Sequence, residues 1–214
     1  MREVVIAGYA RSPFQPAHKG ELVRVRPDEL AAQVIAGLIE RSPIEPGAIE
    51  DLIVGCAFPE GEQGLNVARL IGFLARLPES VAATTVNRFC GSSMQAVHMA
   101  AGAVAMGAGD AFVCAGVESM SRVPVMGFNP MPHPGLARDY PQAYVAMGET
   151  AENLARRHGI ARAAQEEFAV RSHAKAAAAH AAGHLAAELV PIRIGDHGCA
   201  HDGCIRAGTT APKL

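Results

Sequence analysis

Cys90 is the residue of this sequence that is best placed to do chemistry. It follows an apolar, β-branched run at 81–86 and precedes small turn-forming residues and an alanine-rich segment from Ser92. This pattern predicts a strand, a sharp turn and a helix, with the thiol at the helix N-terminus. Free backbone N–H groups and the helix dipole there favour a thiolate. Such a thiolate is a nucleophile with N–H groups near enough to stabilise an oxyanion. On spacing alone, a small buried apolar cysteine remains the alternative.

Alternating strand and helix patterns surround Cys90. The predicted strands are residues 3–8, 51–57, 81–86 and 111–117, and the predicted helices run from Pro27 to Ser42 and over 66–76 and 92–107. This alternation predicts an α/β fold with a mainly parallel sheet and helices on both faces. Ligands of such sheets bind at the carboxyl ends of the strands, where Cys90 is expected. On the helix that follows, Met94 and Met106 are predicted to be core residues.

The pattern changes after Glu118. Residues 121–141 are rich in proline, methionine and glycine and have no period, which predicts an insertion or a loop that covers a site. Helices are predicted at 148–158 and 162–182, and an edge strand at 189–194, where a proline is tolerated. Residues 208–214 resemble a capped first helical turn with nothing after it, so we expect the chain to be cut there.

Composition excludes several classes of function. The chain has 214 residues, is half hydrophobic and carries a formal net charge of −2, so no nucleic-acid-binding surface is predicted. No apolar run reaches transmembrane length and no signal peptide is recognisable, so we predict no membrane insertion. Five scattered cysteines fit a reducing compartment, and the predicted location is the cytoplasm.

Two other patterns contain residue types that are found in ligand sites. Residues 197–204 contain two histidines and two cysteines, but their spacing fits no common zinc site, and we predict no metal. Residues 102–109 are glycine-containing but follow a helix and lack the dinucleotide fingerprint, so no NAD site is predicted.

Residues 87–98, which read NRFCGSSMQAVH, resemble the nucleophile motif of thiolases, the acetyl-CoA acyltransferases, and most of all the degradative 3-ketoacyl-CoA thiolases. Three further segments resemble thiolase segments in the family's order. These are residues 115–121, 147–153 and 202–210. The resemblance extends over the whole chain. It implies a layered thiolase-like fold in which 1–118 form the N-terminal αβ core with the nucleophile and 119–214 form a truncated loop domain that covers substrate and CoA.

The resemblance also implies an activity. Cys90 would attack the C3 carbonyl of a 3-ketoacyl-CoA, release acetyl-CoA and hold the acyl chain until a second CoA removes it, with its own N–H as one oxyanion donor. Met147 and Gly148 would line the pocket for the acyl chain and pantetheine. Short-chain biosynthetic thiolases often have histidine where this chain has Ala146, which favours a degradative enzyme. CoA would be a co-substrate, with no permanently bound cofactor. Full-length relatives are expected to be homo-oligomers, and some to join a β-oxidation multifunctional complex.

Three elements of a full thiolase have no convincing match in this sequence: the Gly-His-Pro base motif, the second cysteine in Cys-x-Gly, and Asn-Glu-Ala-Phe. His133 follows Pro132 rather than glycine, and Cys114 matches Cys-x-Gly but is predicted to lie in a core strand. We therefore expect the C-terminal thiolase domain to be absent, the chain alone to be inactive, and an unpaired sheet edge to favour self-association. Two alternatives remain: a ketoacyl-synthase-like condensing enzyme, and a non-catalytic half-thiolase or split-enzyme subunit that acts as an interaction protein.

Overall fold

Three parallel strands form the main sheet of the computed structural model, which describes residues 2–214. The elements around this sheet are α1 (Pro27–Arg41), β1 (Asp51–Gly55), α2 (Val67–Leu74), β2 (Ala82–Val86), α3 (Ser92–Met106) and β3 (Phe112–Gly116). The strand order is β2-β1-β3, and Asp51 pairs in register with Ala82 on one side and Phe112 on the other. The six elements lie within a few residues of their predicted positions.

Helices cover both faces of this sheet, as predicted. Leu52 and Val54 of β1 lie in one apolar cluster with α1 and α2, and Ile53 lies in a second cluster with Ala96 and Ala100 of α3. The alternation of side chains along β1 assigns neighbouring residues to opposite faces. Leu52, Ile53 and Val54 are at most 3% exposed, so β1 is the buried central strand that a near-continuous apolar run indicates.

The strand predicted at residues 3–8 is wrong. This segment has no strand structure, and its Val5 and Ile6 are 79% and 81% exposed. A short apolar run becomes a strand only beside a partner that completes its hydrogen bonds, and none of the described strands lies there. Backbone pairing begins only at Arg11, whose N–H donates to the Glu188 carbonyl at 2.8 Å and whose carbonyl accepts from Val190 at 2.9 Å.

The prediction that Met94 and Met106 belong to the core is also wrong, because they are 59% and 86% exposed. The face of α3 that packs on the sheet is lined by Ala96 and Ala100. These small side chains let the helix approach the strands closely, whereas the longer side chains lie on the outer face.

A short antiparallel hairpin, β4 (Ile192–Ile194) and β5 (His197–Cys199), also belongs to the first compact unit, which comprises the chain up to 128 and residues 187–204. Ile192 is fully buried. The strand predicted at 189–194 is therefore shorter than expected and begins after Pro191, which has no N–H to donate to a ladder.

Residues 129–186 and 205–214 form a second compact unit. Its helices are α4 (Pro134–Asp139), α5 (Met147–His158) and α6 (Arg162–Ala181). The last two match their predictions, while α4 lies in the segment that has no sequence period. The two compact units do not coincide with the predicted division at 118/119, since 187–204 return to the first unit. That division concerns a functional loop domain and stays a prediction.

None of the helices in residues 2–214 has the length and apolar character that crossing a bilayer requires.

Candidate functional site

Cys90 lies on the turn between β2 and α3, two residues before the helix begins, and its side chain is exposed. Phe89, just before it, has a φ of 45°, in the left-handed region that non-glycine residues rarely adopt. The turn is closed by the N–H of Gly91, which donates to the Arg88 carbonyl at 3.0 Å, and by that of Ser92, which donates to the Phe89 carbonyl at 3.0 Å. A strained strand-to-helix turn of this kind presents a nucleophile above the end of a sheet.

The buried side chain of Ser92 stabilises this turn through hydrogen bonds to its backbone. Its side-chain Oγ accepts a hydrogen bond from the Arg88 N–H at 2.8 Å and donates one to the Phe89 carbonyl at 2.6 Å. The residue is only 4% exposed. Because one hydroxyl bonds the backbone on both sides of the tight turn, it offsets part of the cost of the left-handed Phe89.

Asn87 connects the Cys90 turn to the loop after β1. Its Nδ2 donates to the Ala57 carbonyl at 2.9 Å, and its Oδ1 accepts from the Phe89 N–H at 2.9 Å. The rings of Phe58 and Phe89 also lie together, with centroids 6.0 Å apart. The conformation of Phe89 is therefore held by contacts with the loop after β1 as well as by hydrogen bonds within its own turn.

Two further residues, Gln63 and Glu118, also hold the loop after β1. Gln63 is fully buried, and its Nε2 donates to Glu118 Oε1 at 2.6 Å. Glu118 Oε2 accepts from the Ala57 N–H at 2.8 Å. Sequence analysis assigned no role to either residue. A glutamine in a glycine-rich turn resembles any solvated loop residue, and only its burial distinguishes it.

The remaining cysteines are in different environments. Burial, together with the charge of Glu118, raises the pKa of the Cys56 thiol to about 11. Burial, followed by the charge of Asp51, also raises the pKa of Cys114, which lies in β3 with its Sγ 3.5 Å from the Ala96 carbonyl oxygen. Cys114 is thus a strand residue, as predicted, and its raised pKa is unsuited to acid–base exchange near neutrality. Cys199 is buried, while Cys204 is exposed like Cys90.

The other predicted site residues lie in the second unit. Met147 is the first residue of α5 and is 67% exposed, and Gly148 follows it with open space around its Cα. His133 is the N-cap of α4, where its Nδ1 accepts from the Leu136 N–H at 3.3 Å. This bond gives His133 a structural function and offers no sign of a base.

Residues 197–204 show no metal-binding geometry. No group of three or more histidine, cysteine or acidic side chains within 2–214 is arranged to hold a metal ion. Two of the four potential ligands have other partners. The Cys199 sulfur accepts from Gln15 Nε2 at 3.2 Å, and His201 lies 3.2 Å from the Glu21 carboxylate.

Residues 4–214 match the family described as Thiolase, N-terminal domain. The chain belongs to this thiolase family. Its α/β architecture, with a parallel sheet and helices on both faces, agrees with that assignment. The match includes the Cys90 turn and both compact units, so the family resemblance of the sequence is confirmed along nearly its whole length.

Several relatives of this thiolase domain bear the name 3-ketoacyl-CoA thiolase. The protein from Bacillus subtilis (strain 168) is 47% identical over 194 residues, which cover 91% of the chain and 50% of that relative. The Erwinia tasmaniensis protein is 45% identical, over 94% of the chain and 51% of the relative. The Shewanella sp. (strain MR-7) protein is 43% identical, over 100% of the chain and 57% of the relative. The chain thus spans about half the length of the curated relatives that it matches.

Proposed function

We propose that this chain carries the nucleophile of an acetyl-CoA C-acyltransferase that cleaves a 3-ketoacyl-CoA with CoA. The products would be acetyl-CoA and a shortened acyl-CoA, as in fatty-acid β-oxidation. One observation carries the proposal: Cys90 lies exposed on a strained turn at the start of α3, in a chain whose relatives are 3-ketoacyl-CoA thiolases. The match to the thiolase family favours this reaction over that of a ketoacyl-synthase-like enzyme.

The first half-reaction would use Cys90 as its thiolate. The sulfur attacks the C3 carbonyl, and the carbonyl π electrons move to the oxygen to give a tetrahedral oxyanion. When that oxyanion collapses, the bond between C2 and C3 breaks, and its electron pair takes a proton at C2 to release acetyl-CoA. The backbone N–H of Cys90 makes no hydrogen bond to any residue of 2–214, so it is free to donate to the oxyanion.

The second half-reaction transfers the acyl group to CoA. The deprotonated CoA thiol attacks the Cys90 thioester, and the Cys90 thiolate leaves as acyl-CoA forms. Both halves need a group that moves a proton, and general acid–base catalysis contributes about 10² to 10⁴-fold. Neither His133 nor Cys114 fits that task in this structure. We therefore propose that the acid–base groups come from the half of the relatives that this chain does not span, and that the chain alone turns over negligibly.

Other parts of the proposal concern substrate and context. Met147 and Gly148 would line the pocket for the acyl chain and pantetheine, within a loop domain formed by 119–214. The exposed side chain of Met147 is available for apolar contact with an acyl chain. The whole protein would be a cytoplasmic homo-oligomer, with CoA as co-substrate and, in some settings, a β-oxidation multifunctional partner.

An acylation experiment tests this function. The chain is incubated with a 3-ketoacyl-CoA without free CoA, quenched in acid, digested, and analysed for a thioester by mass spectrometry. We expect slow, substoichiometric acylation confined to Cys90 and lost in Cys90→Ala. Cys204→Ala is the matched control, since that thiol is also exposed. Acylation of Cys204 instead of Cys90, or turnover of the isolated chain at ordinary enzyme rates, would refute the proposal.

A non-catalytic interaction function is the second candidate. The outer face of α3 favours it, since Met94, Val97 and Met106 are 59%, 37% and 86% exposed, and apolar surface of this kind is commonly covered by a partner. The gene separates the two candidates. A downstream region in frame that encodes Gly-His-Pro and Cys-x-Gly motifs supports the enzyme, a separate adjacent frame with those motifs indicates a split enzyme, and their absence supports the interaction protein.

A further inference from the structure

The side-chain amide of Gln63 has a single possible orientation. Its Nε2 donates to Glu118 Oε1 at 2.6 Å and to the Phe58 carbonyl at 2.9 Å, while its Oε1 accepts from the Ser119 N–H at 2.7 Å. Rotating the amide by 180° would place the oxygen against a carboxylate and a carbonyl and the NH₂ against an N–H. Because the group is fully buried, the cost of those mismatches could not be offset by water.

The Glu118 carboxylate connects the Gln63 amide to the backbone of the loop after β1. One carboxylate oxygen accepts from Gln63, and the other accepts from the Ala57 N–H at 2.8 Å. In residues 2–214, none of the arginine, lysine or histidine side chains forms an ion pair with Glu118. The carboxylate is therefore held by amide donors alone, and its charge contributes to the raised pKa of the neighbouring Cys56.

The carbonyl of Ala57, which belongs to the next peptide group along the chain, connects to the Cys90 turn. The Ala57 carbonyl accepts from Asn87 Nδ2, and Asn87 Oδ1 accepts from the N–H of Phe89, each at 2.9 Å. Phe89 has the left-handed φ that turns the chain so that Cys90 stands before α3. Hydrogen bonds on both sides of the Ala57 backbone thus connect a buried amide and a carboxylate to the residue whose conformation presents the thiol.

We propose that Gln63 and Glu118 are positioning residues for the Cys90 thiol. They hold the backbone N–H of Ala57, and Asn87, which is bonded to the Ala57 carbonyl, connects that segment to the left-handed Phe89. This network fixes the backbone that places Cys90 before α3, and attack on a carbonyl depends steeply on such placement. The inference rests on the proposed function, which makes Cys90 the nucleophile.

An exchange of the two functional groups tests the proposal. In Glu118→Gln, a single amide oxygen must serve two donors, and in Gln63→Glu, two carboxylates face each other. The double variant with both substitutions restores the pairing, because the amide at 118 accepts from Ala57 and donates to the carboxylate at 63. That carboxylate still accepts from the Ser119 N–H. The double variant lacks the donor to the Phe58 carbonyl and the weaker one to the Cys56 sulfur.

The measurement is the alkylation rate of Cys90 by iodoacetamide near pH 7.5, relative to that of the exposed Cys204 in the same molecule. We expect each single variant to lower this ratio about fivefold, the factor that one hydrogen bond of ordinary strength supports. The double variant should return it to within about twofold of the original. An unchanged or increased ratio in both single variants, or no recovery in the double variant, would overturn the proposal.

Two further variants separate positioning from general damage. Glu62, the residue before Gln63, pairs instead with Arg122 and Arg26. Glu62→Gln removes that carboxylate, and the Cys90 ratio should stay the same. Asn87→Ser cuts the network at an exposed side chain without disturbing the buried pair, so it should lower the ratio even where a buried variant fails to fold. The Phe89 N–H resonance should move in Glu118→Gln and Asn87→Ser but not in Glu62→Gln. A ratio that falls equally in Glu62→Gln contradicts the proposal.

Acylation of Cys90 and the alkylation ratios test two different statements, the proposed function and the positioning of Cys90. If the unmodified chain acylates at Cys90 but the alkylation ratios do not respond to the exchange, positioning fails and the function stands. If Cys90 accepts no acyl group but the ratios respond as expected, the function fails while the network still orients the thiol.

Discussion

Gly55, the last residue of β1, lies directly against the backbone of Ser92, the first residue of α3. A Cβ placed on Gly55 would overlap the carbonyl carbon of Ser92 and the nitrogen of Ser93. Gly116, which pairs with Gly55 at the end of β3, stands in a similar relation to Ser93, whose Cβ would lie 2.8 Å from an added Cβ. Two strand ends without side chains therefore let α3 begin directly over the sheet, with Cys90 just before it.

Substitution of Gly55 by alanine should displace the start of α3. Overpacking of this kind lowers the free energy of unfolding by about 1–3 kcal/mol, and it should also slow alkylation of Cys90. Urea unfolding and peptide mass spectrometry measure the two effects. The matched control is Gly102→Ala in the same helix, where an added Cβ meets open space and should stabilise the protein by about 0.5–1 kcal/mol. Equal effects of the two substitutions would contradict this account.

The five cysteines should differ in reactivity toward iodoacetamide near neutral pH. The exposed Cys90 should react fastest, because it combines exposure with a helix N-terminus, and Cys204 should follow with exposure alone. Cys56, with a pKa of about 11, has only about 10⁻⁴ of its population as thiolate at pH 7. Cys56 and the other buried thiols should therefore react most slowly with iodoacetamide. Isotope-coded labelling with time resolution gives all five rates. A Cys90 rate no greater than that of Cys204 would show that the helix terminus does not activate the thiol.

Much of the fold around Cys90 could be predicted, because periodicity in the sequence reflects which side chains are buried. The run at 51–57 is apolar throughout since β1 is covered on both faces, and the helices at 27–41 and 92–106 show capping or turn residues at their ends. Residues 3–8 have an equally good strand pattern but no strand structure. Strand formation depends on a neighbour elsewhere in the chain, and no local pattern contains that information.

Ala96 should tolerate no larger side chain, although exposed positions of the same helix carry methionines. Ala96 is fully buried in the cluster with Ile53, so Ala96→Leu should lower the free energy of unfolding by about 1–3 kcal/mol. Met106→Leu, at an exposed position of the same helix, should change it by no more than about 0.5 kcal/mol. Thermal or urea unfolding decides between the two. A stable Ala96→Leu variant would mean that α3 does not rest on the sheet through its alanines.

Asp51 should make folding dependent on pH. Its Oδ1 is buried without a hydrogen-bond partner, and burial raises its pKa above the ordinary 3.8, although Thr84 donates to Oδ2. Because the folded-state pKa is the higher one, folding favours the protonated acid. The stabilising contribution is complete below about pH 3.8 and is lost as the pH rises through the folded-state pKa.

Asp51→Asn should therefore match the parent chain in stability at pH 3.5 and exceed it at pH 7. Urea unfolding across this range measures the difference, with the exposed Asp196→Asn as the control that should show no such trend. A difference that shrinks as the pH rises would reverse the sign and reject this account.

The site was predictable in part. The position of Cys90 before a helix could be inferred from a strand run, small residues and a helical run next to each other in sequence. Gln63 and Glu118 could not, because their contact joins a loop after β1 to the end of β3. Burial turns an ordinary glutamine into a fixed donor, and only the pairing of β1 with β3 brings the two residues together.

The strand order β2-β1-β3 has a consequence for biosynthesis. The ribosome produces the central strand first, and each neighbour follows only after a further helix has been made. Nascent β1 must therefore remain unpaired at both edges until β2 and then β3 emerge, and the face that carries Ile53 stays uncovered until α3 has been made. Such pairings between distant segments form late and slowly. Synthesis of this chain should consequently pass through a period in which a holdase chaperone, rather than the sheet, protects the edges of β1 and the Ile53 face from aggregation.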